Sequence, residues 1–529
     1  MNKYSFLRGA MILTVAGILV KLFGAVNRIL LSRLLGGEGI GLYQMAYPIY
    51  ILALSFSAAG LPIAISIMVA EKMANKNLAG ANRILYVVLT ALFGVGLMAS
   101  LSLVLVAHWL IATGIVRDER AYYALVALAP ALSISIIMGG FRGYFQGFQT
   151  MTPTAVSQIF DQFFRVLAMV AFAVLLLPYG LTYAAAGAAF GAVPGSLMGL
   201  LSLLYCYRYH RKIWRAEEYP HREPTESVGH ILYRLLVLAV PVSMASIMLP
   251  VVASIDLFIV PKRLEAAGYT VDQATTLFGY LTGMATSLVN LPTILTVALA
   301  ASLVPAVSDA WARRDSRSVL IHTETAMRIA NTITIPAFVG MAILATPISQ
   351  MLYATPYAGS AIRIMAVGAV FLGIQQVTTG VLQGLGHTGI PLANMIVSAL
   401  VKIVLSWHLT AMPQFGIEGA AWSTNADLGV AAVLNLYFVY RYSGYTMDMD
   451  HTKKLLLAAA LMGGTVFGMY VLTLRGLHNN TLATVGAIGI GLLLYLLALL
   501  RFKVITAAEA AKIPKIGEKI GRLLKRFEK

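Results

Sequence analysis

Lys21 and Arg28 stand seven residues apart in an otherwise apolar segment near the start of the chain. Two helical turns return a chain to the same face, so the two cations share one side of a helix. They can hold a common anion, or each can pair with an acid on another helix, Asp161 for instance. Gln158, Asp161, Gln162 and Arg165 recur at i, i+3, i+4 and i+7, a polar stripe along an apolar helix. Asn394, Ser398 and Lys402 repeat the pattern at four-residue steps, with Lys402 lying 237 residues after Arg165 and Ser398 the same distance after Asp161. Arg165 and Lys402 are therefore candidate substrate contacts, against the alternative that both stripes bind helices together. Asp256 and Asp427 are isolated acids in apolar stretches. Such a carboxylate can titrate, coordinate a hard cation, or partner a cation such as Lys402 or Arg28. Thr282, Thr286, Asn290 and Thr293 form a further polar stripe, suited to lining a cavity or to joining helices.

These charges are informative because of their surroundings. Of 529 residues, 59% are hydrophobic and 12% charged, against about 25% charged in a soluble domain. Mean hydropathy is +0.79. A membrane span takes about 20 apolar residues, and this composition leaves little for a soluble core. A soluble enzyme, a disordered chain and a disulfide scaffold are excluded; Cys206 is the only cysteine. There is no G-x-x-x-x-G-K-[ST] phosphate loop, no H-E-x-x-H and no His/Cys cluster. No cofactor and no enzymatic activity are expected.

Apolar stretches at 9–32, 43–70, 84–112, 121–141, 154–177, 183–207, 231–260, 277–307, 327–352, 360–383, 391–412, 416–440, 454–474 and 480–500 give an all-α polytopic fold with fourteen spans. Prolines fall inside them at Pro48, Pro62, Pro250 and Pro292. The first stretch carries Lys21 and Arg28 and has no A-x-A cleavage site, so it reads as a retained span. Fourteen spans put both termini on one side, which then holds 28 Lys and Arg against 7 on the other, with four inside spans. That bias makes the terminal side cytoplasmic. The net charge of +17 is thus a matter of topology and lipid contact, and nucleic acid is not an expected partner.

The chain echoes itself at offsets of 230 to 237 residues. Phe145-Gln146-Gly147 returns as Leu382-Gln383-Gly384, Tyr207-Arg208-Tyr209 as Tyr440-Arg441-Tyr442, and Leu61-Pro62 as Leu291-Pro292. A duplicated six-span unit follows, its copies parallel because the span number is even. The expected organisation is a first lobe at 1–207, a basic linker at 208–230, a second lobe at 231–441, two further spans within 442–503 and a basic tail at 504–529. In that tail Ile513, Ile516, Ile520, Leu523, Leu524 and Phe527 recur at helical spacing among Lys and Arg, which suits a helix lying on an anionic leaflet.

Fourteen spans built on a duplicated unit resemble the multidrug/oligosaccharidyl-lipid/polysaccharide exporter superfamily. Lys21, the Asn27-Arg28 pair, Arg33, Leu-Gly-Gly-Glu-Gly-Ile-Gly-Leu-Tyr-Gln at 35–44 and Gly-Tyr-Phe-Gln-Gly-Phe-Gln at 143–149 are similar to its polysaccharide-biosynthesis branch. Within that branch they resemble the stage V sporulation protein B-like group, which includes lipid II flippases of the MurJ type. The resemblance implies two lobes opening alternately and a cavity lined by spans 1, 2, 7 and 8. It implies a polyprenyl-diphosphate lipid held by Lys21 and Arg28, with Asn290 standing in where span 8 lacks a cation. It further implies a coupling ion, Na⁺ or H⁺, at Asp256 and Asn394, with Asp427 the next acid to consider. The expected setting is the bacterial cytoplasmic membrane, with membrane lipids and cell-wall synthesis proteins as partners. A drug/cation antiporter of the same fold and a non-transporting scaffold are the alternatives.

Overall fold

The computed structural model describes residues 3–58, 60–216, 226–502 and 504. The tail from 505 onward and residues 217–225 of the linker lie outside the described residues. Every regular element within them is helical. The chain divides into two units, residues 1–283 and 284–529.

The first unit contains α1 (Lys3–Ala58), α2 (Leu61–Ala74), α3 (Leu78–Ala112), α4 (Ala121–Gly147), α5 (Thr152–Leu176), α6 (Leu181–Phe190), α7 (Ala192–Ala216), α8 (Val228–Ala266) and α9 (Val271–Phe278). The second contains α10 (Thr286–Val289), α11 (Thr293–Ala312), α12 (Ser316–Ile343), α13 (Ala345–Tyr353), α14 (Gly359–Met365), α15 (Gly368–Gly384), α16 (Gly389–Leu409), α17 (Ile417–Ser443), α18 (Met449–Leu477) and α19 (Asn480–Arg501). The expected linker at 208–230 concerns the internal echo; by packing, α8 and α9 travel with the first unit.

The protein is a multi-pass helical membrane protein. Among the described residues, ten helical segments are long and apolar enough to cross a membrane, or twelve when each bent pair counts as one span. Two places account for the distance from fourteen. Met11–Ala74, which holds most of α1 and all of α2, counts as one apolar segment of 64 residues, about three times the roughly 20 that cross a membrane, and α1 breaks at Gly36, whose φ of 65° and ψ of −169° are not helical. Ile417–Ser443 has 27 residues, but Glu418, Asp427 and Ser423-Thr424-Asn425 lower its apolarity.

The prolines play different parts. Pro48 lies inside α1, whereas Pro62 sits in the first turn of α2 and Pro292 caps α11. Proline is tolerated at a helix start because its missing N–H would have had no partner there. The echoed glycines make matching contacts within each unit. A Cβ on Gly147 would meet Val69 Cβ at 2.6 Å, and one on Gly384 would meet Val307 Cβ at 2.7 Å. Four residues earlier, Gly143 lies on the Pro62 carbonyl and Gly380 on the Ala300 carbonyl. Small residues four apart let helix backbones approach closely, the usual means of association in a lipid solvent.

Candidate functional site

The charged stripe on α5 borders a cavity of about 380 Å³ inside the first unit, walled by Tyr47, Tyr50, Arg142, Asp161, Gln162 and Arg165 among others. Arg165 donates from Nη2 to Asp161 Oδ1 at 2.9 Å, the i,i+4 pair the spacing allows. Arg142 approaches the other carboxylate oxygen, with Nη2 at 3.9 Å from Asp161 Oδ2. Its Nε donates to Ser157 Oγ at 3.0 Å, and Ser157 in turn donates to the Thr154 carbonyl at 2.7 Å. Two guanidinium groups thus share one carboxylate, and the lining carries a net positive charge.

The sequence around these residues explains how they are held. On α7, Gly195 and Gly199 face the stripe. A Cβ on Gly195 would meet Arg165 Cβ at 2.6 Å and the Asp161 carbonyl at 2.7 Å, and one on Gly199 would meet Asp161 Cβ at 3.0 Å. The G-x-x-x-G spacing therefore brings α7 directly behind the Asp161–Arg165 pair. On the other side α1 packs along α5. Phe23 meets Phe163 edge-on at 6.0 Å, and Asn27 Nδ2 lies 3.2 Å from Met169 Sδ. The far part of α1 contributes a tyrosine ladder: Tyr43 stacks on Tyr47 at 5.5 Å, and Tyr47 meets Tyr50 at 6.1 Å. Arg28 lies on the same helix, α1, near the Asn27 that meets Met169 of α5. Lys21 is exposed and, among the described residues, makes no ion pair.

Arg142 is the site residue that sequence reasoning misses. Its signal lay in Gly139-Gly140-Phe141-Arg142-Gly143, an arginine flanked by glycines, of which Gly143 lies directly against Pro62 of α2.

The Leu35–Gln44 motif has a structural role. Gly36 breaks α1. Gly37 lies against the Tyr280 ring and Gly41 against the Thr275 carbonyl. Between them Glu38 reaches Arg120 Nη1 at 2.5 Å. Arg120 also binds Asp118 at 2.8 Å and Asp272 at 2.7 Å, while Thr275 Oγ1 donates to Asp118 Oδ2 at 2.8 Å. Arg117 makes a two-pronged contact with Glu265, at 2.8 and 2.5 Å. Burial pushes the Asp118 carboxyl up, but the hydrogen bonds from Arg120 and Thr275 outweigh it and hold the group below the usual range. At the opposite end of α8, Lys72 meets Glu226 at 2.7 Å and Arg234 meets Glu71 at 2.5 Å. The hydrogen bond from Lys72 keeps Glu226 low. Both ends of α8 are therefore pinned within the first unit. Asp256 is half-buried on α8 between those pins.

The remaining expected residues lie in the second unit. Lys402 is 4% exposed, too enclosed to reach an aqueous cavity without rearrangement. One turn before it, Ser398 donates to Asp427 Oδ1 of α17 at 2.6 Å. A further turn back, Asn394 Nδ2 donates to Asn435 Oδ1 at 2.8 Å, and Asn435 donates to Thr379 Oγ1 at 3.1 Å. The α16 stripe thus faces α17 through two sets of hydrogen bonds, Ser398 to Asp427 and Asn394 to Asn435. Asn394 and Asp427 lie on this pair of facing helices; Asp256 belongs to the other unit. The expected span-8 stripe is not one helix face. A π-helical segment covers Gly279–Ala285, and α10 ends at Asn290, which is exposed and caps it. Thr282 and Thr293 spend their hydroxyls on the Phe278 and Asn290 carbonyls, at 2.7 and 2.9 Å. The physical reason is Pro292: it removes a backbone donor and interrupts the ladder just where the stripe needed continuity.

Residues 6–311 match the family model described as polysaccharide biosynthesis protein. The chain belongs to this family. Residues 281–408 also match the MatE model. Stage V sporulation protein B of Bacillus subtilis (strain 168) is 30% identical over 99% of this chain and 100% of its own length. Lipid II flippase MurJ of the same organism is 24% identical, covering 93% of this chain and 94% of the relative. Among solved structures, lipid II flippase MurJ in an inward closed conformation superposes with a TM-score of 0.68 at 17% identity, over 92% of this chain and 98% of that one. An inward-facing multidrug resistance MATE family transporter gives 0.65 at 16%, over 80% and 94%. The expected superfamily is thereby established. Family members with assigned activities are flippases and transporters, in keeping with a protein that is not an enzyme.

Proposed function

We propose that the protein moves a polyprenyl-diphosphate-linked saccharide across the bacterial cytoplasmic membrane by alternating access, with the peptidoglycan precursor lipid II as first choice of substrate. The observation that carries this reading is the charge of the first unit's cavity. Two of its lining residues, Arg142 and Arg165, are cations against the single acid Asp161. A cation exporter of the same fold needs an acidic cavity, and this one has the opposite sign. Each charge costs several kcal/mol if left facing lipid, so surplus arginines in a membrane protein call for an anionic ligand. The diphosphate of a lipid-linked sugar supplies one. Its charged head could not cross hydrocarbon unaided, while its prenyl tail stays in the bilayer. Lys21 and Arg28 would take the diphosphate, and both termini would lie in the cytoplasm.

The coupling ion belongs to the same proposal. Asp427 with the amide oxygens of Asn394 and Asn435 is an oxygen donor set suited to a hard cation, and Asp256 is a separate titratable candidate on α8. Asp256→Asn keeps the shape and removes the charge, so it should leave accumulation intact and abolish the response of transport to Na⁺ or pH.

The test is a head-group accessibility assay in cells depleted of their own flippases, comparing lipid II with teichoic-acid precursors. The reading expects lipid II heads to reach the outer face only when this protein is expressed. Accumulation of inward-facing lipid II despite normal expression, with export of teichoic-acid precursors restored, would reassign the substrate.

A further inference from the structure

We propose that Arg142 and Arg165 form a phosphate-binding subsite inside the first unit, with Asp161 as the resident anion that the incoming phosphate joins or displaces. The inference rests on the transport reading only for the lipid that carries the phosphate.

Asp161 and Arg165 alone would be a self-sufficient pair, as expected for helix packing. Arg142 makes the arrangement unbalanced. It reaches the same carboxylate at 3.9 Å, a distance at which attraction is weak compared with a hydrogen-bonded pair. Arg165 directs only Nη2 at Asp161, and its Nε is buried with no acceptor. A buried N–H left unmade is costly, and a guanidinium offers five donors in a fixed fork that matches phosphate oxygens. The cradle is built beforehand: Ser157 fixes Arg142 through Nε, and Gly195 and Gly199 let α7 lock the backbone of Asp161 and Arg165. The cavity of about 380 Å³ has room for a phosphate group and part of a neighbouring ring. Tyr47, backed by the buried Tyr50, forms its aromatic wall, a surface on which the C–H face of a sugar can lie. The chemistry selects a phosphate or diphosphate ester carrying a saccharide.

The experiment uses the full-length protein, monodisperse in detergent, and isothermal titration with inorganic pyrophosphate. Wild type and Arg363→Gln, an exposed cation of the second unit, should bind alike. Arg142→Gln and Arg165→Gln should each weaken binding by about tenfold or more, the loss expected of one charge-assisted hydrogen bond. Arg142→Lys should recover part of it, which a merely structural role would not produce. Geranyl diphosphate should compete and geraniol should not, placing the recognition in the phosphates of a lipid head. Competition by geraniol, an unchanged affinity in Arg142→Gln, or no pyrophosphate binding by wild type overturns the subsite. Translocation measured on the same preparations separates the two proposals. Transport without pyrophosphate binding removes the subsite alone; binding without movement of any polyprenyl lipid removes the transport reading alone.

Discussion

The stripe on α5 and the stripe on α16 begin as the same pattern in the sequence and end in opposite environments. On α5 the cation borders a cavity, shares its acid with a second arginine and keeps a buried N–H without an acceptor. On α16 the cation is enclosed, and the residues before it are spent on hydrogen bonds to α17. The difference lies in the neighbours. Gly195 and Gly199 bring α7 behind the α5 pair and leave its front open, whereas α17 presents Asp427 and Asn435 to the front of α16. An intramembrane charge is therefore no guide to function by itself; what faces it decides whether it binds a ligand or holds a bundle.

The sharpest way to break this contrast is to neutralise both cations in turn. Arg165→Gln should reduce transport by more than about a hundredfold while protein levels stay near normal, as expected when ligand contacts rather than packing are lost. Lys402→Gln should instead lower accumulation in the membrane, because breaking a buried polar network is destabilising by about 3–5 kcal/mol. Quantitative blotting beside a head-group assay distinguishes them. Normal levels with no transport for Lys402→Gln would erase the distinction.

Next in size is the glycine support. Gly199→Leu places a side chain where Asp161 and Met138 already sit, and overpacking costs about 1–3 kcal/mol. Thermal unfolding in detergent should show that loss, and the same change at Gly464, where a Cβ meets nothing within 4 Å, should be close to neutral.

The ionic cluster around the α1 break sharpens the picture of a first unit held by charge as well as packing. Asp118 is depressed in the folded protein. Its contribution is complete above the unfolded value of about 3.9 and is lost as pH falls through the folded value. Asp118→Asn should cost about 2 kcal/mol at pH 7, and the gap from wild type should narrow as pH falls below the unfolded carboxylate value. Melting curves across that range check the sign. The smallest effect is expected from Ser398→Ala, which removes one of the donors to Asp427 for about 1–2 kcal/mol and leaves transport by the remaining protein unchanged.

The helical membrane class, the polar stripes and the Asp161–Arg165 pair were legible in the sequence, because helical periodicity alone fixes which residues share a face. Arg142 was not, since its partner Asp161 lies on another helix and only the glycine-mediated crossings bring the two together. The span-8 stripe failed for a local reason: periodicity assumes one continuous helix, and the π-helical segment and Pro292 break it. The Leu35–Gln44 motif was legible as distinctive but not as a crossing, because Thr275 and Tyr280, which it packs against, are more than two hundred residues away.

The most direct test of the central claim is translocation of fluorescent lipid II in proteoliposomes, with wild type compared with the Lys21→Gln/Arg28→Gln double variant. The account predicts that wild type brings the labelled head to the opposite leaflet and that the double variant, reconstituted at equal density, does so at no more than about a tenth of that rate, as loss of charge-assisted contacts implies. Equal rates for the two proteins, or a wild type that leaves lipid II in place while exporting an organic cation, would contradict it.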